Sequence, residues 1–155
     1  VKSGLLPYGN FEDAHASSPT LFYNDANQHV AKMVETRIAN TNSPWLANVA
    51  VGDVHAIPVS HGEGKFVVSD EEFAELRDNG QIWSQYVDFD GKPSMDSKYN
   101  PNGSLHAIEG ITSQNGQIIG KMGHSERWED GLFQNIPGNK DQGLFAAAVG
   151  YFTGK

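Results

Sequence analysis

Apolar and polar side chains alternate along residues 30–38, with Val30, Lys32, Val34, Thr36 and Ile38 on one side. That period predicts a half-buried strand rich in β-branched residues. A second strand is predicted over residues 54–60, and Pro58 within it lacks an N–H donor, which assigns it to a sheet edge or a bulge. Residues 82–89 read as a third. Residues 105–112 and 117–122 flank Asn115-Gly116 and predict a β-hairpin. Helical periods are fewer. Ser69 followed by Glu72 forms a capping box, so residues 70–78 should be helical with Phe73 and Leu76 facing inward and Gly80 closing the end. Ser43 before Pro44 predicts a short helix or turn over residues 45–49. A last helix is expected from a cap at Asn139 to Phe152, with Leu144, Phe145, Ala148 and Phe152 in register. Residues 10–27 read as polar loop, with His15 and His29 on the surface. Residues 1–3 followed by Gly4 read as the last turn of a helix with its capping glycine, so the chain is expected to begin inside an element.

Chemistry first suggests itself where the hairpin ends. The apolar run stops at Gly123, and His124 and Glu126 then emerge together at the rim of a sheet. A carboxylate that holds an imidazole in one tautomer makes it a competent proton carrier, and the pair is the base-and-orienter half of a catalytic triad. The same two residues are also consistent with a plain polar pair at a strand end. The strand over residues 54–60 ends similarly in Ser60, His61, Gly62, Glu63 and Gly64. Glycines on both sides of Glu63 allow close approach to a small ligand, or else a hairpin turn into a strand over residues 65–69.

Composition narrows the classes. The length of 155 residues fits one domain, and 38% hydrophobic content suffices for a core. A net charge of −8, with no basic run, argues against nucleic acid as a partner. No apolar stretch approaches a membrane span and no leader pattern opens the chain, so no membrane partner and a cytoplasmic setting are expected. With zero cysteines there is no disulfide, no thiolate metal site and no cysteine nucleophile within these residues.

Four stretches in order, Val59-Ser60-His61-Gly62-Glu63-Gly64, Asn100-Pro101-Asn102-Gly103-Ser104, Met122-Gly123-His124-Ser125-Glu126-Arg127 and Pro137-Gly138-Asn139-Lys140-Asp141-Gln142, resemble the C-terminal end of the phosphoribosylformylglycinamidine synthase family. That end is a class I glutamine amidotransferase domain with a Cys-His-Glu triad. The resemblance covers nearly the whole chain and implies an α/β fold: residues 1–155 would be the C-terminal portion of a flavodoxin-like domain, with a mixed or antiparallel β portion. The family's catalytic His and Glu match His124 and Glu126. Its cysteine, in a Gly-x-Cys-Asn-Gly segment, would lie just upstream of Val1, so the upstream half with the nucleophile is expected to be missing and these residues alone to be inactive. Many members carry proline where Ser125 stands; proline would stiffen the turn, but the His–Glu spacing is kept. Substrate binding is carried over to Ser60, His61, Gly62 and Glu63, with His61 either touching glutamine or packed beside the site. No role attaches to Asn100–Ser104.

The resemblance further implies glutamine as substrate, no metal or cofactor in this chain, and ATP with magnesium in a separate synthetase domain. There, ammonia would amidate formylglycinamide ribonucleotide in purine biosynthesis. The upstream half and the synthetase domain would be its partners, and a sheet edge uncovered by the missing strands could drive self-association. Two other readings compete. His61, Glu63, His124 and Glu126 could hold zinc, or the chain could be a non-catalytic docking module.

Overall fold

The computed structural model describes residues 1–154. Its centre is a five-stranded sheet built from β2 (Val30–Ile38), β3 (Val54–His61), β5 (Ile82–Tyr86), β6 (Ile108–Thr112) and β7 (Ile119–Lys121), in the order β3-β2-β5-β6-β7. Every ladder among the described residues is antiparallel. Of the two expected forms, it is the antiparallel one that is present here. A separate ribbon pairs β1 (Thr20–Tyr23) with β4 (Glu63–Val67). The helices are α1 (Asp70–Asp78) and α2 (Leu144–Thr153).

Pro58 sits where its missing donor costs nothing in the ladder. It lies on β3, opposite Met33 of β2, and β3 is the edge of the sheet. Farther along that edge the Ala56 N–H donates to the Asn139 carbonyl at 2.7 Å. This use of Asn139 explains why the last helix starts later than expected. Asp141 N–H donates to the Asn139 side chain and Gly143 N–H to that of Asp141, making turns that carry the chain to a Gly143 cap at φ 60°. The expected face of α2 is also only half right. Leu144 and Ala148 are buried with Ala147, but Phe145 and Phe152 stay more than half exposed.

Two predicted strands are shorter for local reasons. Asp88 collects the N–H groups of Asp90 and Lys92 on its carboxylate, and this turn ends β5 at Tyr86 rather than residue 89. Residues 105–107 form a tight turn, with His106 at φ 54° and Ala107 at φ 56°, so β6 begins only at Ile108. The Asn115-Gly116 hairpin forms as read, pairing Ile111 with Gly120 and Thr112 with Ile119. Ser69 caps α1 through its hydroxyl, which accepts from Glu72 N–H. Ser43 caps the turn Pro44–Leu46 in the same way. Residues 1–4 make a hydrogen-bonded turn, with Gly4 at φ 86°.

The core falls into three clusters on the sheet. Leu6, Phe66, Val68 and Leu76 pack on Ile82, Ile108 and Ile111. Val34, Val59, Tyr86 and Ala107 form the second, next to the future site, and Ile38, Leu46, Trp83 and Leu144 form the third. Trp83 is fully buried, and its indole lies against the bare backbone of Gly110 on β6. A Cβ at Gly110 would stand 2.5 Å from the indole nitrogen, which itself donates to the Gly120 carbonyl at 3.2 Å. Gly110→Ala should therefore destabilise the fold by about 1–3 kcal/mol through overpacking. The measurement is the midpoint of urea denaturation, expected to fall with the slope unchanged.

Candidate active site

β7 and the turn after it deliver His124 and Glu126. Gly123 must be glycine here, because a Cβ would meet Ile57 Cγ2 at 2.6 Å. That close approach lets the His124 N–H donate to the Pro58 carbonyl of β3 at 2.9 Å. The hairpin end is thus tied to the opposite edge of the sheet. The chain then makes one short turn over Ser125–Arg127, closed by Arg127 N–H donating to the His124 carbonyl, and this brings Glu126 back onto the imidazole. His124 Nδ1 lies 2.7 Å from Glu126 Oε1.

The chemistry of that contact follows from the carboxylate. Burial, the largest single influence, pushes the Glu126 carboxyl up, but its own backbone N–H, the His124 hydrogen bond and charge, and the Arg127 guanidinium together hold it below the usual carboxylate value. An ionised carboxylate only accepts, so Nδ1 carries the proton and Nε2 keeps its lone pair. The pair is therefore set to take a proton at Nε2 and to stabilise the imidazolium that results.

The His61–Gly64 turn stands beside it. The His61 and His124 rings lie 6.3 Å apart between centroids. Burial lowers the His61 pKa first, and the positive fields of His124 and His29 lower it further. Its Nε2 is buried without a partner. Ser60 Oγ meets His29 Nε2 at 3.1 Å, which gives exposed His29 a place at the rim that the sequence reading did not assign. Gly62 and Glu63 line a cleft of about 410 Å³ with Tyr23, Asn27 and His29. Glu63 is exposed, and no set of three His, Asp or Glu residues that could hold a metal occurs among the described residues. Of the two forms left open for this turn, a hairpin does not occur: β4 leaves β3 and pairs with β1, so Gly62 is the crossing between the two sheets. A second cleft, of about 320 Å³, runs from His124 and Glu126 past Lys121 and Ser125 to Trp45 and Phe145.

Beneath the His–Glu turn lies a charged network that the sequence reading passed over. Glu109 on β6 is wholly buried, and one carboxylate oxygen accepts the N–H groups of Met122 at 3.2 Å and Gly123 at 2.7 Å. Lys121 stands 3.7 Å from that oxygen and donates to Ser125 Oγ and to Gln142 Oε1. Burial lowers the Lys121 pKa, opposed by the charges of Glu109 and Glu126. The available signal was a charged residue inside each of two apolar strands, Ile108-Glu109-Gly110-Ile111 and Ile119-Gly120-Lys121-Met122.

Comparison with known proteins places the chain in a family. The family model for the CobB/CobQ-like glutamine amidotransferase domain matches residues 1–152, and the chain belongs to that family. Among curated relatives, the phosphoribosylformylglycinamidine synthase subunit PurQ of Thermomicrobium roseum is 39% identical over 110 residues, covering 71% of this chain and 46% of its own length. The PurQ subunit of Gloeobacter violaceus is 34% identical over 149 residues, 96% of this chain and 57% of its own. The structure of PurLQS from Thermotoga maritima superposes with a TM-score of 0.63 at 23% identity, over 87% of this chain and 53% of that one, which establishes the shared fold. The chain spans about half the length of the curated relatives it matches.

Two outcomes follow from the site's charges. Lys121→Met leaves buried Glu109 without its counter-ion and should cost about 3 kcal/mol, the low end for breaking a buried pair because two backbone N–H groups remain on the carboxylate; urea denaturation reads it. The second concerns pH. His61 and His55, each with its pKa lowered first by burial, hold fewer protons folded than unfolded below the usual 6.5. Stability should fall as pH drops through 6.5 towards their folded values, and His61→Gln should make that fall shallower. Thermal melts across pH 7.5 to 5 give the slope.

Proposed function

We propose that this chain is the His–Glu portion of the glutaminase unit of a phosphoribosylformylglycinamidine synthase. The observation that carries the reading is the 2.7 Å His124–Glu126 contact, with the His61 ring 6.3 Å from His124. The PurQ relatives support it. In the working enzyme a cysteine outside these residues supplies the thiol. His124 Nε2 takes the thiol proton, the thiolate attacks the side-chain carboxamide carbon of glutamine, and the imidazolium returns the proton to the departing nitrogen, so that ammonia leaves and a thioester remains. Water, deprotonated by the same nitrogen, then cleaves the thioester to glutamate and restores the thiol. Glu126 holds the ring and its charge throughout. Ser60, His61, Gly62 and Glu63 hold the substrate's backbone end.

No cofactor takes part in these steps. ATP and magnesium belong to the synthetase partner, where the released ammonia converts formylglycinamide ribonucleotide to the amidine, and the setting is the cytoplasm. These residues alone, having no cysteine, are inactive towards glutamine. The test uses the intact enzyme. His124→Ala should abolish glutamine-dependent synthesis, by about 10³-fold or more as for other triad bases, while synthesis from ammonium persists. Equal loss with both nitrogen donors would overturn the assignment.

A further inference from the structure

The Asn100–Ser104 loop has no part in the chemistry above, yet Asn100, Asn102 and Ser104 are all fully buried. Such burial of polar side chains is costly unless each finds a partner, so where their bonds go is informative. Asn100 spends both ends of its amide inside the loop: Oδ1 accepts Ser104 N–H at 3.1 Å and Nδ2 donates to the Ser104 carbonyl at 2.8 Å. This fixes Ser104 for an outward task. Its hydroxyl donates to the Gly64 carbonyl at 3.0 Å and accepts Phe66 N–H at 3.1 Å. Asn102 Oδ1 accepts from Asn24 Nδ2 at 3.3 Å. Asn24, itself buried, donates its backbone N–H to the Gly62 carbonyl at 3.1 Å and directs the same Nδ2 towards the His61 carbonyl at 3.5 Å and the Gln28 carbonyl at 2.8 Å. Gly103 closes the interlock, since any Cβ there would run into Asp25.

The β2–β3 ladder ends at the Val30–His61 pair, and the carbonyls of Gly62 and Gly64 lie beyond it, in the segment that leaves one sheet for the other. Gly62 is met by the Asn24 N–H and Gly64 by the Ser104 hydroxyl, with Asn24 Nδ2 against the His61 carbonyl where the ladder ends. A trans peptide is planar, so fixing a carbonyl on one side fixes the N–H of the next residue on the other. The loop and Asn24 therefore set the orientation of the turn's peptide groups.

We propose that Ser104, Asn102 and Asn24 are positioning residues for glutamine recognition: a buried clamp that holds the His61–Gly64 turn in its substrate-binding form. This rests on the glutaminase reading. The clamp touches neither His124 nor Glu126, so its loss acts on binding and not on proton transfer.

The experiment measures glutamine-dependent and ammonium-dependent synthesis in the intact enzyme for the wild type, Ser104→Ala and Asn24→Ala, with His124→Ala alongside. Each clamp variant should raise the KM for glutamine about tenfold, the worth of one or two lost hydrogen bonds, with kcat within about twofold. Ammonium-dependent synthesis should not change. A fall in kcat at constant KM in both variants, or no change in either constant, overturns the clamp. If the wild type shows no saturable use of glutamine, or His124→Ala retains it, the glutaminase reading falls and the clamp with it. Saturable use lost in His124→Ala, together with an unaltered KM in the clamp variants, removes the clamp alone.

Discussion

The buried Glu109–Lys121 pair constrains the rest of the molecule. A carboxylate with no solvent access is costly unless it is paired, and Glu109 gathers two peptide N–H groups and one nearby ammonium on Oε1 while Oε2 stays buried without a partner. Those peptide groups are Met122 and Gly123, the two residues before His124. The condition holds only in the register that pairs Gly110 with Lys121. A slip of one residue would carry the Met122 and Gly123 N–H groups away from the carboxylate. Lys121 also reaches Ser125 in the turn after His124 and Gln142 ahead of α2, so the same cation links the hairpin, the turn and the C-terminal segment. The register of a strand pair and the place of the His124 imidazole are thus one problem with one solution.

Much of this was legible in the residues. The alternation over residues 30–38, the Asn115-Gly116 turn, the Ser69 cap and the edge position implied by Pro58 all appear in the structure, because each depends on local geometry that few neighbours can override. The His124–Glu126 contact was legible for the same reason, since one short turn suffices to make it. What escaped depends on distant partners. The helix cap at Asn139 was lost because its backbone pairs with β3, and the aromatic face of α2 was misjudged because small residues, Ala147 and Ala148, make the contact. Nothing in a linear string says that Ser104 will meet Gly64, or that β4 will abandon β3 for β1.

That last choice shapes the site. A hairpin between β3 and β4 would have consumed the peptide groups around Gly62 in its own ladder. By crossing to the β1 ribbon, the chain leaves a short irregular segment at the rim, and irregular backbone can be held by side chains that aim its peptide groups deliberately. The cost is a set of buried amides and a hydroxyl, Asn24, Asn100, Asn102 and Ser104, in place of ladder bonds.

Two glutamates show how environment divides the labour. Glu126 is about half exposed, and its own backbone N–H, His124 and Arg127 hold its carboxyl below the usual value against the burial it does have. Glu109 is sealed, and a carboxylate in that position serves by staying fixed. An exposed carboxylate at position 109 would spend its hydrogen bonds on water and release the two peptide groups that precede His124. A half-exposed partner for the imidazole and a buried anchor for the backbone that leads to it are thus kept apart within one hairpin end and its three-residue turn.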